Sequence, residues 1–135
     1  MLKSNRLNIL KLIKNKKLNN ISKEIKTLND EIKKSRDMKH KLKKINKNSA
    51  AESYKNNASN IRHQRSFTEK ILQQIYLCEN REIFLSKELN LAKIKLGKII
   101  LQKNTIEYKI KLLIEQQKLI DEKKIERDTP AFKNN

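Results

Sequence analysis

A chain that folds back on itself needs residues that turn, and this one has almost none. Its 135 residues include a single Gly, Gly97, and a single Pro, Pro130. Gly supplies the positive-φ conformations of tight turns and Pro their fixed φ, so folds that reverse every ~8–12 residues are out of reach. Long helices remain. Hydrophobic and charged residues each make up 36% of the chain, a balance that suits a thin helical pair rather than a thick core. The length allows no more than one domain, taken as residues 1–135.

Periodicity places the helices. In the first block Leu18, Ile21, Ile25, Leu28 and Ile32 alternate three- and four-residue steps, and Leu42 continues their register past Ser35 and Lys39. Such steps hold the residues on one stripe of a helix, the pattern of coiled-coil packing. Leu7 and Leu10 lie on the same side, before a stretch diluted by lysines. The second block is stronger. Ile71, Ile75, Cys78, Leu85, Leu89, Ala92, Leu96, Ile99, Ile106, Ile110, Leu113 and Ile120 fall on one ladder, with polar rungs at Glu82, Lys103 and Gln117. Gly97 lies inside this block; one Gly costs about 1 kcal/mol and does not break so long a helix.

Between the blocks, residues 46–60 are rich in Asn and Ser, which favour turns and caps. The expected fold is all-α, a long antiparallel two-helix coiled-coil hairpin. Helix one runs over about 3–56, the turn over about 56–60 and helix two over about 61–127, with a loose tail at 128–135. Asn57 or Ser59 would cap the second helix.

One seam does not use all the apolar residues. Leu77, Phe84, Leu91, Leu112 and Leu119 recur at multiples of seven, and so do Ile94, Leu101 and Tyr108. Three readings stand: a partner surface, self-association into a four-helix bundle, or enrichment in Ile through coding bias.

No catalytic constellation is present. The two histidines, His40 and His63, have no metal-type spacing. Cys78 falls on the apolar ladder. One Gly cannot build a phosphate-binding loop, and Glu79, Glu82, Glu88 and Glu107 are dispersed among lysines as solvated ion pairs would be. The chain is therefore expected to be non-enzymatic, with no cofactor and no metal. Its net charge of +18 attracts acidic partners, although the excess of Lys, Ile and Asn is also what coding poor in G and C produces. Nucleic acid is not favoured as a partner, because aromatic residues that stack on bases are few. No stretch reaches the roughly 18 apolar residues of a membrane span, so membrane insertion is not expected and the chain is read as cytoplasmic.

The layout resembles the FliJ family, small components of the bacterial flagellar type III export apparatus. The opening Leu7-Asn8-Ile9-Leu10-Lys11-Leu12-Ile13 resembles the family's leucine–lysine start, and Tyr54-Lys55-Asn56-Asn57 the end of its first helix. Phe67, Ile71, Gln74 and Cys78 resemble its surface early in helix two. Leu119-Ile120-Asp121-Glu122-Lys123-Lys124-Ile125-Glu126 resembles its closing segment. The resemblance implies a stalk-like coiled coil that couples a hexameric export ATPase to the cytoplasmic domain of the export gate and escorts export chaperones. Phe67, Ile71, Gln74, Cys78 and Tyr54 would then bind the gate. Leu7, Leu10, Lys11, Lys123 and Lys124 would face the ATPase ring. The protein would sit at the inner face of the cell membrane through the apparatus. Two alternatives are a stalk of a related virulence secretion system and a basic coiled coil that binds nucleic acid or another acidic polymer.

Overall fold

A computed structural model describes residues 2–52 and 58–128, with side chains placed for 3–49 and 60–128. Two helices account for all of them: α1, Leu2–Glu52, and α2, Ala58–Asp128. They pack against each other as an antiparallel helical hairpin. The contacts divide the chain into two compact units, Ser22–Ile94 and Met1–Ile21 with Lys95–Asn135.

In the Ser22–Ile94 unit the pairing runs from Ser49 with Gln64, through Ser35 with Cys78, to Glu31 with Arg81. One number falls as the other rises, which fixes the antiparallel sense. Ile32, Ile71, Ile75, Leu85 and Ala92 are buried, all of them rungs of the two ladders. The interface is thin, and no described side chain is completely buried. In the other unit Leu7, Leu18, Ile21, Leu96, Ile99, Ile106, Ile110 and Leu113 are half-buried, and Lys11 pairs with Glu107.

The seam is longer and more polar than the apolar residues alone suggest. On α1 it also takes in Ser4, Lys11, Lys14, Asn46 and Ser49, all half-buried and all on the same alternation of three and four. On α2 it extends back through Thr68 and Gln64. This corrects two expectations. Asn46, Asn48 and Ser49 lie within α1, which runs to Glu52, and the seam that Asn46 and Ser49 occupy holds the backbone helical there. Residues 58–60 are not in the turn, since α2 starts at Ala58 and Ser59 lies within its first turn. At the other end the ladder stops at Leu113. Gln117 and Ile120 are exposed, since no second seam is laid against them among the described residues. Tyr54, Asn56, Asn57 and the tail from Thr129 lie outside the described residues.

Polar rungs carry the cross-helix bonds. The Ser35 hydroxyl, itself buried, donates to the Cys78 carbonyl at 3.4 Å. Arg36 Nε donates to Glu82 Oε1 at 2.7 Å, and Lys39 Nζ to Glu82 Oε2 at 3.4 Å. The Arg36 hydrogen bond holds the Glu82 carboxyl below its ordinary value of 4.5. Lys39 pulls the same way, and partial desolvation opposes both. A lowered folded-state pKa stabilises the fold above the unfolded value, and that share is lost as pH falls through the folded value. Glu82→Gln should therefore cost up to about 1 kcal/mol at neutral pH, the range of exposed ion pairs. In thermal melts of both proteins, the gap should close as pH falls from the ordinary glutamate value through the lowered one.

Candidate protein-binding surface

A helix turns about 100° per residue. The seam residues of α2 therefore share one side, and Leu77, Phe84, Leu91 and Ile94 come out roughly opposite it. All four are exposed, Phe84 at 61%. In the Ser22–Ile94 unit they are joined by three residues that their own spacing could have revealed. Leu72, Tyr76 and Ile83 stand four and seven apart and are exposed as well. Together Leu72, Tyr76, Leu77, Ile83 and Phe84 expose apolar surface on α2, the last four set around Asn80. Glu69 and Gln73 join Leu72 and Tyr76 around a shallow depression. Large apolar side chains exposed this close together mark partner sites.

In the other unit Leu101, Tyr108, Leu112 and Leu119 continue the outward register and are also exposed, Leu101 at 68%. Lys98 and Lys111 flank them, exposed.

The residues singled out for binding the gate are divided by the structure. Phe67 is exposed and Gln74 is exposed one heptad further on, so the two share a lane beside the seam. Phe67 stands beside the seam rung Thr68. Ile71 is 6% exposed and Cys78 half-buried, both committed to the seam. Of the four described residues, Phe67 and Gln74 present the most surface. Tyr54 lies outside the described residues.

The residues expected to face a ring are likewise divided. Leu7 is half-buried, while Leu10, next to the seam rung Lys11, is exposed. Lys11 Nζ lies 3.7 Å from Glu107 Oε1, so its charge is already paired. Lys123 and Lys124 are exposed on the last turns of α2. Among the described residues no cluster of His, Cys, Asp and Glu could hold a metal ion, and no helix is long and apolar enough to cross a membrane. Comparison of the chain with known protein families, curated proteins and solved structures finds no match.

Proposed function

We propose that this chain is a non-enzymatic adaptor of the bacterial flagellar type III export apparatus, acting by protein–protein contact and needed for assembly of the flagellum. The observation that carries the reading is the patch of Leu72, Tyr76, Leu77, Ile83 and Phe84. A hairpin that has already buried its own seam has no internal use for it. In this reading Phe67, Gln74 and the patch meet the cytoplasmic domain of the export gate. The end that holds Leu7, Leu10, Lys123 and Lys124 meets the hexameric ATPase, and empty export chaperones are further partners. The protein would be cytoplasmic and held at the membrane only through the apparatus. The sequence resemblance to the FliJ family supports the assignment, as does the pairing of two unequal helices.

A second reading draws on another observation. Lys26, Lys33, His40 and Lys47 recur every seven residues on one exposed lane of α1, beside Lys34 and Lys41. Such a lane would suit the phosphates of a nucleic acid.

Pull-down with the gate's cytoplasmic domain separates the two. Capture by the wild-type chain, weakened about tenfold by Phe67→Ala, is expected from the adaptor. Tenfold corresponds to about 1.4 kcal/mol, within reach of one buried aromatic anchor. Failure to bind any export protein, together with duplex binding that collapses steeply with salt, would establish the polyanion reading instead.

A further inference from the structure

Where α1 begins, a groove opens between it and α2, within the unit formed by residues 1–21 and 95–135. Its volume is about 460 Å³, within the ~300–1,000 Å³ range of binding sites. Leu7, Leu10, Leu112 and Leu113 form the floor. Lys3, Arg6 and Lys109 stand round it, and among the described residues no carboxylate lines it. The floor is a by-product of the seam: Lys11, not Leu10, takes the inward rung, so Leu10 is left to line the groove with Leu112.

We propose that this groove docks an acidic amphipathic helix of a partner protein. The proposal rests on the chemistry of the groove and not on the export reading. Two helices flank the cleft and the described residues contain no strand edge, so a peptide cannot add as a strand. It can lay an apolar stripe along the floor, with anchors at i, i+3 or i+4 and i+7. Glutamates or aspartates beside that stripe would meet Lys3, Arg6 and Lys109. A second copy of this chain is disfavoured, because +18 would be set against +18. A free fatty acid is served less well, because small ligands are held where most of their surface is enclosed, and this cleft is open along one side.

The test uses the full chain and a fluorescent synthetic helix of about 18 residues, long enough to hold its fold. Leucines occupy i, i+3, i+4 and i+7 and glutamates the flanks; a second peptide carries lysines in their place. Anisotropy should show binding of the acidic peptide alone, weakening with added salt. Arg6→Glu combined with Lys109→Glu should reduce affinity at least about tenfold. Leu10→Asn, at an exposed position that the fold does not need, should do the same while helical circular dichroism is unchanged. The proposal is overturned if the lysine peptide binds equally well, or if Leu10→Asn and the charge reversal both leave affinity unaltered. It is also overturned if oleate or phosphatidylglycerol vesicles bind in a groove-dependent way while the acidic peptide does not.

Discussion

Leu85→Ala should lower the unfolding free energy by about 2–4 kcal/mol, whereas Phe84→Ala, one residue earlier, should change it by less than about 0.5 kcal/mol. The two residues are neighbours in sequence and opposites in environment: Leu85 is 5% exposed and Phe84 61%. Truncating a seam leucine removes apolar burial and leaves a void that the opposing helix cannot fully close. Truncating Phe84 removes atoms that were already in water. The thin interface lets solvent reach the void, so the lower part of the range is the expected value for Leu85. Even 2 kcal/mol is a large share of the ~5–15 kcal/mol that holds a domain together. Urea unfolding followed by helical circular dichroism reads both variants. Equal losses would mean that Phe84 is covered in solution, by a second hairpin for instance. A partner-binding assay should show the reverse ranking, with Phe84→Ala the more damaging.

The hairpin is legible in the sequence because steps of three and four residues between apolar side chains have one economical solution, a helix stripe set against another. Leu18 to Ile32 on α1 and Ile71 to Leu113 on α2 show it directly. The outward register of Leu77, Phe84, Leu91, Leu101 and Tyr108 follows from the same arithmetic, and the structure leaves these side chains exposed. What apolar periodicity hides is the polar part of the seam. Ser4, Lys11, Lys14, Asn46, Ser49, Gln64 and Thr68 keep the same alternation, yet residue type alone reads them as surface or turn. Asn and Ser favour turns as isolated residues; at a seam rung the helix on either side overrides that preference. The groove at Leu7 and Leu112 is illegible for another reason. It depends on two segments about a hundred residues apart in number, and the register that brings Leu10 to the same groove as Leu112 appears only in the fold.

Stability and adaptability diverge most at the layer formed by Lys11, Lys103 and Glu107. Two lysines take rungs where a coiled coil places apolar residues, and one carboxylate oxygen, Glu107 Oε1, lies 3.7 Å from the first and 3.9 Å from the second. The Lys103 side chain is only 28% exposed and that of Lys11 40%. Lysine stems contribute some apolar contact here, but the charged heads resist burial, and the ion pairs, half in solvent, return less than about 1 kcal/mol each. The double variant Lys11→Leu/Lys103→Leu should therefore raise stability by about 2 kcal/mol, from apolar area newly removed from water and from weaker repulsion in a chain of net charge +18. Glu107, itself 41% exposed, stays solvated when its partners go, so no orphaned buried charge offsets the gain. A higher urea midpoint with an unchanged slope is the expected readout. A polar rung also restricts which registers two helices can adopt. The same variant should thus begin to populate a second register or a higher oligomer, visible in ultracentrifugation as a concentration-dependent species. If stability falls instead, the lysine pair contributes more through Glu107 than its geometry implies, and the polar layer is a clasp rather than a concession.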